Sequence, residues 1–173
     1  TVADVDFSDV VVDSIVITAV TTAGDALTVA SSGAVVSITE ATNRLDLISG
    51  ATASTLTDSI TIVGTGATTV IGNGVAGNGS GTDTFQTVYF SNGQTTGTSV
   101  LTATLGTSST TGATLYITGS GAVTTTSTTA VAIDGSSMTG VLTAATSQAA
   151  TISGGSAADQ LTVATASTTA SGN

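Results

Sequence analysis

The chain has 173 residues and a net charge of -10, with 11 carboxylates against one cation, Arg44, and it contains no Lys, His, Cys, Pro or Trp. This inventory excludes the His and Cys ligand sets of zinc, copper, haem and iron–sulfur sites, and it excludes His- and Cys-based catalytic triads. Nucleic acid is excluded as a partner because its phosphates need clustered Lys and Arg. The strong ligands that are left, carboxylates and backbone carbonyls, suit hard cations, calcium first.

Short strands separated by Gly, Ser, Thr or Asn dominate the sequence pattern. The 40 Thr residues favour extended backbone, and no long window shows a helical period. In chain order the predicted strands are 10–20, 26–29, 34–38, 45–48, 59–63, 68–71, 85–90, 100–105, 114–118, 131–133, 150–152 and 160–163. This spacing predicts an all-β protein, either a β-solenoid or, as the second choice, a β-sandwich.

Chain length predicts a single domain over residues 1–173, with a possible subdivision into 1–75 and 76–173. No apolar run approaches the roughly 18 to 20 residues of a membrane span, so no membrane-spanning helix is expected. The first residues carry no basic segment and no initiator Met, which is typical of a mature chain or of a piece of a longer one. The lack of Cys and Lys favours an extracellular protein over a cytosolic one.

Most of the carboxylates precede an apolar residue of a predicted strand by two positions. The unit occurs at Asp9, Asp13, Asp25, Asp58, Asp83 and Asp159. Two positions along a strand place both side chains on the same face, unless the Asp lies in the turn that enters the strand. A plain turn residue is therefore the alternative to a ligand at each position.

The start of the chain is acidic. Asp4 and Asp6 share one face of an extended segment, where their repulsion favours a cation bound between them or between neighbouring chains. The alternative is a solvated acidic edge that prevents incorrect strand pairing. Arg44 is expected to pair with Glu40 or Asp46, or with an acidic residue of another subunit.

One glycine-rich segment resembles the calcium-binding nonapeptide G-G-x-G-x-D-x-U-x of RTX proteins. Asn78 takes the first glycine position, Gly79 and Gly81 match the other two, and Asp83 stands two residues before Phe85. The resemblance implies a turn whose carbonyls and Asp83 carboxylate bind calcium above an apolar core residue.

A second copy of this motif occurs near the end of the chain. Gly154, Gly155 and Asp159 match, with Ala157 in place of the third glycine and Leu161 as the apolar residue. Calcium in an RTX roll is shared between successive turns, and neither copy has a tandem partner. Half a site, or none, is therefore the alternative to a complete site at each copy.

The surroundings of the second copy extend the resemblance. Residues 132–143 read AIDGSSMTGVLT, residues 150–155 read ATISGG and residues 159–162 read DQLT. Together with the Thr-, Ala-, Gly- and Ser-rich composition, they resemble calcium-dependent surface-layer proteins and adhesins of Gram-negative bacteria, including Caulobacter-type surface-layer proteins. The motif match covers about a third of the chain. It implies type I secretion, an RTX-like parallel β-roll or β-helix, and calcium-driven assembly at the cell surface.

The sequence therefore predicts a secreted structural protein, and not an enzyme, that assembles with copies of itself into a surface layer or filament, bridged by calcium. The alternative is an adhesin module of a larger type I secreted protein that binds a glycan or surface, with cell-surface polysaccharide as the partner. Scattered aromatic residues disfavour a glycosidase, which needs sugar platforms flanked by two carboxylates. The Thr-x-Thr pairs keep no common period, which disfavours an ice-binding face.

Overall fold

The computed structural model describes residues 5–6, 14–17, 25–29, 34–38, 41–49, 59–64, 69–73, 87–93, 98–103, 114–127, 132–146, 151–163 and 169–172. The regular elements within these ranges are all β-strands: β1 Val5–Asp6, β2 Ile15–Ile17, β3 Asp25–Val29, β4 Ala34–Ile38, β5 Ala41–Ser49, β6 Ser59–Gly64, β7 Thr69–Asn73, β8 Thr87–Asn92, β9 Thr98–Ala103, β10 Thr114–Gly119, β11 Ala122–Ser127, β12 Ala132–Met138, β13 Leu142–Thr146, β14 Thr151–Ser153, β15 Gln160–Val163 and β16 Thr169–Ser171. No described segment forms a helix long and apolar enough to cross a membrane. The all-β prediction is confirmed.

Successive strands alternate between two sheets. The odd-numbered strands form one sheet in the order β1 to β15, and the even-numbered strands form the other in the order β2 to β16, which we call the odd sheet and the even sheet. Every described strand pair is parallel. This order is compatible with a β-solenoid or roll, and it differs from the antiparallel pairing of immunoglobulin-type β-sandwiches.

The length of chain between paired positions varies along the ladders. Val70 pairs with Val100, thirty residues further on, whereas Thr143 pairs with Gln160 after seventeen. From β10 onward in the even sheet the separation settles at eighteen or nineteen residues, as Thr114 pairs with Ala132 and Ala132 with Thr151. The parallel ladders therefore tolerate connections of different lengths.

One face of the even sheet carries most of the buried apolar side chains of the described residues. Buried and less buried residues alternate along β6 and β8, as expected of strands with one covered face. Strand pairing aligns the buried side chains into two ladders, each at most 1% exposed: Ile60, Val88, Leu115, Ile133 and Ile152 in the first, and Val36, Ile62, Phe90 and Ile117 in the second. Cross-strand contacts of this kind are the unit of sheet stabilisation.

The two sheets approach each other through small residues and hydrogen bonds. Leu142 of the odd sheet packs against Gly135 of the even sheet, where an added methyl group would lie 2.6 Å from the Leu142 Cδ2 atom. Asn92, fully buried at the end of β8, donates its Nδ2 hydrogen to the Ala122 carbonyl of β11 at 3.0 Å. This buried amide therefore links a strand of the even sheet to a strand of the odd sheet.

Strand limits follow the prediction where apolar residues alternate and depart from it elsewhere. The structure places β4 and β15 at the predicted limits, but β12 runs to Met138, well beyond the predicted end at Ile133. Pairing of β12 with β10 shifts between Tyr116 and Thr118. A bulge therefore interrupts the alternation that the sequence pattern relies on.

Asp134 stabilises this irregular part of β12. Its Oδ1 atom accepts hydrogen bonds from the Ser136 backbone N–H at 3.0 Å and from the Ser136 hydroxyl at 2.6 Å. Asp side chains commonly bond to backbone two residues further on, and here the bond supplies a partner to an N–H at the register shift. Asp134 therefore has a local structural role.

Candidate functional site

Three described turns, each leading from an even strand to the following odd strand, stack on one another. They are residues 120–121 between β10 and β11, 139–141 between β12 and β13, and 154–159 between β14 and β15, which we call the turn column. The Thr139 N–H donates to the Gly119 carbonyl at 2.9 Å, and the Ser156 N–H donates to the Met138 carbonyl at 3.0 Å. These bonds extend the parallel ladder beyond the strands and hold the turns in register.

The second glycine-rich motif of the sequence lies within the turn column, in the turn from β14 to β15. A methyl group at Gly155 would collide with the Met138 carbonyl oxygen at the end of β12. A methyl group at Gly154 would collide with the Asp159 carboxylate. The structure therefore brings together Gly154, Gly155 and Asp159, and close approach of backbone and carboxylate accounts for both glycines.

Asp159 connects its turn to the neighbouring strand of the odd sheet. Its Oδ1 atom accepts a hydrogen bond from the Leu142 N–H at 2.8 Å, at the start of β13. Since the acceptor is a carboxylate, this bond is stronger than one between neutral groups. Asp159 stands one residue before β15. It therefore lies in the turn that enters the strand, and not within the strand itself, which was the other possibility that the sequence left open.

The other carboxylate oxygen of Asp159 is buried and has no hydrogen-bond partner. It lies against Gly154, and a methyl carbon added at Gly172 would be 3.7 Å from it. The Gly154 N–H donates to the Ser171 carbonyl at 2.6 Å, which joins this turn to the end of β16. The Asp159 Oδ2 atom therefore lies between the turn 154–159 and the residue that follows β16, where an unpaired buried acceptor is costly.

The surroundings of Asp159 Oδ2 offer some of the ligands that a hard cation needs. Asp159 Oδ2 is a free anionic ligand, and calcium takes six to eight oxygen ligands, backbone carbonyls among them. Within the described ranges no three His, Cys, Asp or Glu side chains form a cluster. A cation held here would need Asp159 as its charged ligand and carbonyl oxygens of the turns to complete its coordination.

Other predicted ligands do not join this group in the described part of the chain. Asp6 lies in β1, where it pairs with Thr28 of β3, at the opposite end of the odd sheet from β15. The remaining predicted ligands lie outside the described residues: Asp4, Asn78, Gly79, Gly81 and Asp83. Whether they bind a cation stays a prediction.

A pair of stacked tyrosines is a feature that the sequence interpretation missed. Tyr89 of β8 pairs with Tyr116 of β10, and their ring centroids are 5.0 Å apart with an interplanar angle of 9°. Both rings lie on the outer face of the even sheet, 46% and 37% exposed. The alternation of each strand predicts that each ring faces outward, but only the register brings them together. We call this pair the tyrosine platform.

Replacing Asp159 by alanine is expected to lower the free energy of unfolding by about 1–3 kcal/mol, because the partly buried Leu142 N–H would lose its acceptor. Asp159→Asn keeps an oxygen acceptor and should recover part of this loss. Chemical denaturation followed by circular dichroism measures the difference. Asp134→Ala, which removes only exposed local bonds, is the control and should cost less. A variant Asp159→Ala as stable as the wild type would contradict this role.

Comparisons with known proteins give no relative. A scan against protein-family models finds no matching family, and searches of curated proteins and of solved structures find no match.

Proposed function

We propose that this chain is a structural, extracellular β-solenoid of the RTX-like roll type that assembles with copies of itself into a surface layer or filament, with calcium as a bridging ion. The observation that carries the proposal is the pair of continuous parallel ladders, in which each passage of the chain adds one strand to each sheet. Repetitive stacking of this kind builds extended structural proteins, because each layer contacts only its neighbours.

The outermost described strands offer backbone groups for assembly. Among the described strands, β15 and β16 at one end, and β1 and β2 at the other, each pair on one side only. An unpaired strand edge is a template for a strand of another chain. Strand addition in the same parallel sense would continue both ladders from one copy into the next.

The spacing near the end of the chain supports an RTX-like roll. Two nonapeptides span about 18 residues. The separations between paired strands from β10 to β16 are eighteen or nineteen residues in the even sheet, and they are nineteen and seventeen from β11 to β15 in the odd sheet. The second glycine motif thus belongs to the most regular part of the ladders.

The net negative charge of each copy means that assembly would require cations. Copies with a net charge of -10 repel each other, and a divalent cation that bridges carboxylates removes part of this repulsion. Asp159 supports a calcium role because it holds a buried carboxylate oxygen without a hydrogen-bond partner among glycine turns. Neutralising that oxygen would also stabilise the turn column.

The purified chain is expected to form large assemblies in millimolar calcium and to return to small species when the calcium is chelated. Sedimentation velocity and negative-stain electron microscopy measure the size and form of the particles. Asp159→Asn should raise the calcium concentration needed for assembly several-fold, because it removes the anionic ligand. Asp134→Asn is the matched control, since it makes the same charge change at a carboxylate bound to Ser136.

Magnesium at equal ionic strength separates specific binding from screening, because magnesium requires a tighter octahedral shell than calcium. Equal assembly in calcium, magnesium and chelator, with Asp159→Asn unchanged, would reject the metal but keep strand addition. A chain that stays monomeric under all these conditions would reject self-assembly itself.

A further inference from the structure

We propose that the tyrosine platform binds a neutral polysaccharide, with a sugar ring placed against Tyr89 in the depression beside it. This binding function goes beyond assembly and does not depend on it. The two rings come from strands that are distant in sequence, so the site exists only in the folded ladder.

The strand on the other side of Tyr89 carries no ring at the matching position. Along the same row of the even sheet, Thr61 of β6 pairs with Tyr89, as Tyr89 pairs with Tyr116. A depression of about 170 Å³ lies beside the two rings, lined by Thr61, Tyr89, Phe90, Ser91, Tyr116 and Thr118. A pyranose ring is a compact, chair-shaped group that can occupy such a space and pack its C–H face on an aromatic ring.

Hydroxyl-bearing residues flank each tyrosine along its strand. The residues two positions before and after each tyrosine on its strand are Thr87 and Ser91 on β8, and Thr114 and Thr118 on β10. A sugar presents an apolar C–H face and hydroxyl groups at its rim, which suits apolar ring faces with hydroxyl-bearing residues before and after them on the strands. A protein partner would instead need a contiguous apolar patch of several hundred Å².

Charge determines which polysaccharides fit. The only cation of the chain, Arg44, is in β5 of the odd sheet, and the carboxylate of Asp134 is next to Tyr116 in the row. An anionic polymer would therefore meet repulsion without a compensating cation. A cationic ligand is disfavoured as well, because the two rings stack on each other and do not surround a charge as an aromatic cage does. A neutral glycan is the ligand that remains.

Intrinsic fluorescence gives a direct test, because Tyr89 and Tyr116 are the only tyrosines of a chain that has no tryptophan. Titration of the full chain with dextran, laminarin and galactomannan should change tyrosine emission in a saturable way for at least one of them. Heparin and alginate, as anionic probes, should leave the emission unchanged. Chelator in the buffer keeps assembly from contributing to the signal.

Two variants and a control test whether binding takes place at the tyrosine platform. Affinity is measured by native gel electrophoresis, in gels that contain the polysaccharide that binds in the fluorescence titration. Tyr89→Leu removes the stacking surface, and Thr61→Tyr fills the depression while extending the ring stack, so both should weaken binding at least tenfold. Thr162→Tyr places a ring on exposed β15 of the odd sheet and should bind as the wild type does. Unchanged circular dichroism for Thr61→Tyr shows that its loss of binding is not loss of folding.

The proposal is overturned if none of the three neutral polysaccharides binds, if only heparin or alginate binds, or if Thr61→Tyr binds as the wild type does. Sedimentation in the presence of chelator tests whether a second copy of the chain occupies the depression instead of a sugar. If Thr61→Tyr abolishes a dimer that the wild type forms, and no glycan binds, the depression is a contact between copies and the sugar proposal is wrong.

Discussion

Replacement of Phe90 by alanine is expected to lower the free energy of unfolding by about 3–5 kcal/mol, the range for aromatic-to-alanine changes in well-packed cores. Phe90 is 1% exposed and is among the largest fully buried side chains of the described core. It lies between Ile62 and Ile117 in the same ladder, so its removal leaves a cavity between two neighbours that strand pairing holds in place. Chemical denaturation followed by circular dichroism measures the loss.

Phe90→Leu is the matched control for this prediction. It keeps most of the buried apolar surface and should cost much less than the alanine change. Tyr89→Ala, one residue away on the exposed face, should also cost less. If Phe90→Ala costs no more than Tyr89→Ala, the burial pattern of β8 is wrong and the strand faces the opposite way.

Replacement of Gly119 by alanine is expected to destabilise the fold strongly, because two penalties act on the same residue. Gly119 has φ = 118°, a conformation open essentially to glycine alone, and the backbone term costs about 1–3 kcal/mol. A methyl group there would also collide with the Asn92 carbonyl oxygen, which accepts a hydrogen bond from the Gly121 N–H at 3.2 Å. The measurements are the midpoint of thermal unfolding and the yield of soluble folded protein.

Gly93→Ala provides the control for this change in a neighbouring layer. A methyl group at Gly93 would have no atom within 4 Å, and this exposed position should tolerate it with little change in stability. Equal effects of the two substitutions would contradict the geometry of the turn from β10 to β11. A strong effect at Gly119 alone would show that the turn column depends on close backbone approach.

Strands with strong apolar alternation were predictable, whereas strands built from small polar residues were not. The pattern identified β6, β8 and β10, whose inward positions carry Ile, Val, Phe or Leu. It missed β11 and β13, because residues such as Thr125 and Ala144 are buried there without forming an apolar period. The sheet interior accepts small side chains when neighbouring ladders fill the space, and that information is not local in the sequence.

The contacts within one turn could be predicted from the sequence, whereas the contacts that depend on strand register could not. Gly154, Gly155 and Asp159 are close in sequence, so a motif could identify their turn. The hydrogen bond from Leu142 to Asp159 and the stacking of Tyr89 on Tyr116 join residues 17 and 27 positions apart. Connections of unequal length prevent the sequence from giving such pairings, because no constant repeat relates one layer to the next.

Each strand pairs with the strand two positions further along the chain, and this pattern affects how the chain folds. Paired residues are separated by 17 to 30 positions along the ladders from β4 to β16, whatever the total number of layers. Each new layer therefore closes a loop of similar size, and the entropic cost of that closure grows only slowly with loop length. Relative contact order falls as layers are added, so once a few central layers have nucleated, growth can proceed outward one layer at a time.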